Sequence, residues 1–200
     1  DLEHWRTFLQ SLVARGVRGV RLVVSDSHMG LRQAIAEVFL GASWQRCRVH
    51  FLRNVLSHVP KSAQAMVAAT VRPIFQQLSR EEAQAQLAQV CTLLAPRFPK
   101  VVELLKDAEE EILAFYDFPP EHWRQLYSTN PLERLNKELK RRSAVVGIFP
   151  TRQSVIRLLG ALLAEQNDEW IVARHYFSEA SMNRIDKAEA GSTDKALVAA

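Results

Sequence analysis

Glu133 is an acid set among bases. Residues 129–142 read TNPLERLNKELKRR. The pattern predicts a helix with Asn130 as N-cap and Pro131 at the first helical position, where its missing N–H costs nothing. Glu133 then falls at the third helical position, favoured by the positive end of the helix dipole. Asn136, Lys137 and Lys140 follow at helical spacing and share its face. A carboxylate able to hold a divalent cation, beside Arg134, Lys137, Lys140, Arg141 and Arg142 able to hold phosphates, suits phosphodiester chemistry. Taken alone, the segment reads more readily as a solvated helix with a capping-box glutamate. Glu138 is a second acid there, but it lies off the Asn130/Glu133 face.

Asp26 ends a different pattern. Val20, Leu22, Val23 and Val24 form a short apolar, β-branched run that predicts a buried strand, with a helix opening around residues 27–30 and running to about Val38. Ligands collect beyond the carboxyl ends of strands in open α/β sheets, so an Asp there could bind a metal. Ser25, Asp26 or Ser27 could equally be the N-cap of the following helix.

Cys47 and His50 stand in WQRCRVHFLRN (residues 44–54), a short strand running into a helix. Their spacing is that of half a zinc site, but no second close Cys/His pair completes four ligands. A buried small Cys and a His bonded at a helix start is the other reading.

The remaining elements must position these groups. Residues 1–16 read as an amphipathic helix with Asp1 as N-cap, Gly16 as C-cap, and Trp5, Phe8, Leu9, Leu12 and Val13 on one side. Residues 61–118 are rich in Ala, Gln, Glu and Leu, with breaks at Pro73, Pro96–Pro99 and Pro119–Pro120, and predict a helical insertion without a site. Residues 151–170 predict a helix whose apolar face is Val155, Leu158, Leu159, Leu162 and Leu163. The expected organisation is a core part at 1–60, the insertion at 61–120, the Glu133 helix and following helices at 121–180, and a disordered tail at 181–200.

Composition is that of a globular chain, 200 residues with 48% apolar content and a net charge of +4. It has no apolar run of membrane-spanning length, no signal peptide and no disulfide framework, so a reducing compartment and no membrane partner are expected. The charge is unevenly placed. Residues 124–157 carry eight bases and two acids, whereas residues 103–117 carry six acids and one base. The basic stretch surrounds Glu133 and favours phosphate contact; the acidic one is expected to face away from DNA.

VVSDSHMGLRQAI, WQRCRVHFLRN, STNPLERLNKELKRR and VVGIFP, in this order, resemble the catalytic domain of bacterial Mutator-type (insertion sequence 256-like) DDE transposases. The resemblance runs from about residue 1 to about residue 177. It implies an α/β fold, predominantly helical overall: part of a ribonuclease-H-like DDE core, interrupted by an all-helical insertion. On that resemblance Asp26 matches the second catalytic aspartate and Glu133 the glutamate of an Asn-x-x-Glu motif. Both would be ligands for Mg²⁺ or Mn²⁺, with Cys47, His50, Asn130 and Asn136 in support. The implied reaction is phosphodiester cleavage and strand transfer at transposon ends. The implied partners are double-stranded DNA, both terminal inverted repeats and target, and further copies of the chain on that DNA, in the bacterial cytoplasm at the nucleoid.

The family's first catalytic aspartate belongs on an early strand, and none is predicted before Val20. The chain therefore reads as a C-terminal piece of a longer transposase, short of one metal ligand and expected to be inactive alone. A non-catalytic DNA-binding or assembly module is the alternative, and a plain helical domain whose motifs are caps is a third.

Overall fold

The computed structural model describes residues 1–172, 177 and 181–185. The chain forms two compact units, Asp1–Ser128 and Thr129–Ala200.

The first unit opens on α1 (Leu2–Ala14), capped by Asp1, whose carboxylate accepts the Glu3 N–H at 2.8 Å. Gly16 follows the last turn at φ 104°, a conformation that costs glycine little. Next come β1 (Leu22–Ser25), α2 (Met29–Val38) and β2 (Ser43–Arg46). The two strands pair in parallel, Leu22 opposite Ser43 through Ser25 opposite Arg46. The crossover helix α2 packs on α1 around Leu9, Ala34 and Ile35, with Trp5, Leu12, Val23 and Trp44 against them. Gly30 permits this approach, because a Cβ there would lie 2.9 Å from the Leu2 backbone nitrogen. The α2 cap differs from expectation. His28, rather than Ser25, Asp26 or Ser27, caps the helix, its Nδ1 accepting the Leu31 N–H at 3.1 Å. Ser25 and Asp26 are committed elsewhere, as described below.

From β2 the chain enters α3 (Arg48–Ser57), α4 (Lys61–Val71), a 3₁₀ turn (Arg72–Gln76) and α5 (Arg80–Leu94). It continues through α6 (Pro99–Asp107), α7 (Glu109–Leu113), further 3₁₀ turns (Ala114–Asp117 and Pro120–His122) and α8 (Trp123–Leu126). The expected breaks fall at prolines: Pro73 lies in the 3₁₀ turn after α4, and Pro99 opens α6. These helices share one core that includes Phe51, Val55, Val71, Ile74, Leu105, Ile112 and Phe115.

A buried side chain helps tie this core to the sheet. Gln45 on β2 is fully buried. Its Nε2 donates to the Ile112 carbonyl at 3.1 Å and the Arg46 carbonyl at 2.8 Å, while its Oε1 accepts the Phe115 N–H at 2.8 Å. A buried amide is tolerated only when so satisfied. The acidic stretch is spent inside the same unit. Arg80 pairs with Asp117 and Glu110, Arg32 with Glu111, and Gln84 with Glu109.

The second unit begins with α9 (Asn130–Val146), followed by Gly147 at φ 73° and α10 (Arg152–Val172). No residue of α9 is buried. Leu135 and Leu139 face Leu162 of α10 across a small cleft of about 150 Å³. Leu163, expected on the apolar face of α10, is 44% exposed. Of the tail expected to be disordered, residues 181–185 are helical and 186–200 lie outside the described residues. The observed class is thus α/β and mostly helical, around a two-stranded parallel sheet. No described helix is long and apolar enough to cross a membrane.

Candidate catalytic and metal-binding site

Asp26 is the first residue past β1, and its backbone is fixed from both sides. The Cys47 N–H donates to the Ser25 carbonyl at 2.8 Å, extending the β1–β2 ladder by one step. The Trp44 Nε1–H donates to Ser25 Oγ at 2.8 Å, and that hydroxyl donates to the Asp26 carbonyl at 3.0 Å. The end of the strand is thereby clamped where the Asp26 carboxylate emerges.

β2 leads directly into α3, and the join delivers two side chains to that carboxylate. Cys47 caps α3 by position without a side-chain cap bond and is fully buried. His50, one turn on, places Nδ1 2.5 Å from Asp26 Oδ1 and 3.2 Å from Cys47 Sγ. At that separation Nδ1 must carry a proton and donate to the carboxylate, with the Cys47 sulfur a weak neighbour on the buried side. The three donor atoms lie within 4.8 Å of one another. Among the described residues, this is the cluster of metal-ligand types that the fold assembles.

The donor chemistry sorts the roles. A hard ion such as Mg²⁺ or Mn²⁺ takes oxygen, and the Asp26 side chain is 57% exposed and open to one. A buried thiol and a ring nitrogen already facing the carboxylate are better placed to orient Asp26 than to bind such an ion. Arg46, on β2, adds positive charge nearby. Burial lowers its pKa, an effect opposed by the charges of Glu111 and Asp26. Ser25, Trp44 and Arg46 were not among the expected site residues. The signal available was only their adjacency to Asp26 and Cys47.

The second unit holds the other expected residues. Glu133 is exposed in the first turn of α9, and its N–H donates to the Thr129 carbonyl at 3.0 Å. The helix therefore starts one residue earlier than expected. Thr129 is the N-cap, without a side-chain cap bond, and Asn130 is already helical. Asn136, Arg134, Lys137 and Lys140 are exposed on α9, and none of the three bases makes an ion pair among the described residues. Arg141 and Arg142 differ. Arg141 grips Glu138 with two bonds of 2.8 and 2.7 Å, and Arg142 adds a third at 2.8 Å. The two guanidinium groups, Arg141 first, hold the Glu138 carboxyl down at about 2. Glu138 is thus the internal counter-ion of part of the basic run.

The sequence profile described as "Transposase, Mutator family" matches residues 1–173. The chain is 46% identical over 184 residues to the transposase for insertion sequence element IS1081 of Mycobacterium tuberculosis, covering 92% of this chain and 44% of that protein. It is 42% identical over 174 residues to the transposase for ISRM5 of Rhizobium meliloti, covering 87% of this chain and 44% of the relative. It is 39% identical over 173 residues to the transposase for IS256 in transposon Tn4001 of Staphylococcus aureus, covering 84% and 44%. The chain thus spans less than half the length of these relatives.

Proposed function

The chain belongs to the Mutator family of transposases, and on that premise we propose that it carries two of the acids of a DDE centre that cuts and joins DNA at the ends of an insertion sequence. Asp26 and Glu133 would hold Mg²⁺ or Mn²⁺. When bound, such ions supply Lewis-acid activation of an attacking water or 3′-hydroxyl and stabilise the departing oxygen. The observation that carries this reading is the Asp26 carboxylate at the end of β1, clamped through Ser25 and faced by His50 across the parallel pair. The β1–α2–β2 unit is what a ribonuclease-H-like core would contribute around that acid.

The chain's own residues do the positioning. His50 keeps one Asp26 oxygen turned toward α3, and Cys47 backs the imidazole from the buried side. Arg134, Lys137 and Lys140 on α9 neutralise backbone phosphates without reading sequence, with Arg141 and Arg142 available to the extent that they leave Glu138. Asn130 and Asn136 flank Glu133 on the helix and can donate to a phosphate oxygen. The working partners would be duplex DNA, at terminal inverted repeats and target, and further copies of the chain.

A DDE centre needs a third carboxylate, which the family places upstream of β1. The test compares the 200-residue chain with an extended protein in which the same segment stands within a full-length transposase of the family. Both are assayed on duplex DNA bearing terminal repeats in Mg²⁺ or Mn²⁺. The extended protein should cut and the short chain should not. Robust cutting by the short chain would contradict the assignment, and binding without cutting by both would support the non-catalytic module instead.

A further inference from the structure

Three arginines that are scattered in the sequence share one groove of the first unit. Arg48 and Arg53 of α3 and Arg72 at the start of the 3₁₀ turn line a cavity of about 600 Å³ whose floor is Leu52, Leu56 and Phe75. No carboxylate lines it. Among the described residues none of the three guanidinium groups makes an ion pair; Arg6, Arg32 and Arg80 of the same unit do, while Arg15, Arg18 and Arg97 do not, so what sets the three apart is their gathering in one groove. Arg53 and Arg72 are exposed.

Arg48 is held in place ahead of any ligand. Its guanidinium lies 3.6 Å above the Tyr127 ring and 5.4 Å from the Phe75 ring, and its backbone N–H donates to the Tyr127 carbonyl at 2.9 Å. Stacking occupies the faces of the guanidinium and leaves its N–H groups directed outward in the plane. Uncompensated positive charge in one concave site is costly unless something of opposite sign is meant to meet it. A planar fork beside two exposed partners matches the oxygens of phosphates along a strand. The apolar floor suits the deoxyribose between them.

We infer that this groove binds the sugar-phosphate backbone of duplex DNA, through Arg48, Arg53 and Arg72 of the first unit, in addition to any contact made by the bases of α9. The inference rests on the reading that the protein works on DNA. Its other possible occupant, an acidic segment of a protein, is an outcome of the test.

The test measures binding of the 200-residue chain to a fluorescent duplex of arbitrary sequence across a salt series. Arg48 is left alone because it packs on Tyr127. Arg53→Gln with Arg72→Gln should weaken binding by about tenfold and lower the slope of log affinity against log salt by about 2, since each phosphate contact contributes about 0.9. Arg53→Lys with Arg72→Lys, which keeps the charge, should recover most of both, and circular dichroism should show all variants folded. Unchanged affinity and slope in the Gln pair, with wild type binding normally, overturns the groove alone. Intact DNA binding with lost binding to polyglutamate or lost self-association also overturns it, in favour of a protein-docking surface. Failure of the wild-type chain to bind duplex DNA at any salt overturns both the groove and the DNA reading.

Discussion

The His50 Nδ1 lies 2.5 Å from the Asp26 carboxylate and 3.2 Å from the Cys47 thiol, so a helix-borne imidazole bridges a strand-end acid and a buried sulfur. The residues come from both sides of a parallel strand pair, and the ladder bond from Cys47 to Ser25 sets their spacing. An outer partner that orients a metal-binding carboxylate typically matters by about 10–100-fold in metal affinity or activity. His50→Ala in the full-length transposase should therefore raise the Mn²⁺ concentration needed for half-maximal cleavage about tenfold or more. His50→Gln, which keeps a side-chain hydrogen bond, should be milder. An unchanged metal requirement in a folded His50→Ala protein would reduce the pair to a structural contact.

Gln45 predicts a large stability effect far from any chemistry. Gln45→Ala leaves the Phe115 N–H and the Ile112 carbonyl unsatisfied in the core and opens a void. The expected loss is about 2–4 kcal/mol, read from urea unfolding. A loss under 1 kcal/mol would show that the β2–α7 junction tolerates water.

Gly30 predicts a smaller one. A methyl group there meets the Leu2 nitrogen at 2.9 Å and its Cα at 3.1 Å, and backbone cannot turn aside as a side chain can. Gly30→Ala should destabilise by about 1–3 kcal/mol, with the damage confined to the α1–α2 pair in hydrogen exchange. Stability equal to wild type would mean that α1 shifts freely on α2.

Glu138 gives a pH prediction. Its carboxyl is held at about 2 against an ordinary 4.5, by Arg141 first and Arg142 second. The depressed value means that its favourable contribution to α9 is complete above about pH 4.5 and is lost as pH falls through about 2. Carboxyl carbon shifts in NMR should follow that titration, and Arg141→Gln with Arg142→Gln should return it toward 4.5. Glu138→Gln should also release both guanidinium groups and tighten non-specific duplex binding a few-fold at low salt. Weaker binding in Glu138→Gln would contradict the counter-ion role.

The sequence made the local framework legible wherever one residue type dominates a boundary. The β-branched run placed β1, although Leu22, Val23 and Val24 are half-buried rather than buried as expected, Pro131 marked the start of α9 to within one residue, and the prolines of the helical segment marked its turns. What stayed hidden depends on partners distant in sequence. The cap of α2 is His28 because Ser25 is bonded to Trp44 and Asp26 to His50, a competition that cap preferences alone do not express. The acidic stretch suggested only a face turned away from DNA, yet Arg32 and Arg80 claim Glu111, Glu110 and Asp117 from 30 to 79 residues away. The groove of Arg48, Arg53 and Arg72 forms no basic run and became visible only when α3 met the turn after α4. Cys47 and His50 were visible as a pair. That the third member of their cluster is Asp26, and not a second Cys/His pair, came from the strand pairing.

The central proposal is that Asp26 and Glu133 are each a catalytic acid. It is tested most directly by metal-dependent strand cleavage of terminal-repeat DNA by a full-length transposase containing this segment. Asp26→Ala and Glu133→Ala should each remove cleavage in Mg²⁺ and in Mn²⁺ by about a thousandfold or more while duplex binding persists, and Glu138→Ala should stay within a few-fold of wild type. Full cleavage by the Glu133→Ala protein, or loss of cleavage in Glu138→Ala alone, would contradict the account.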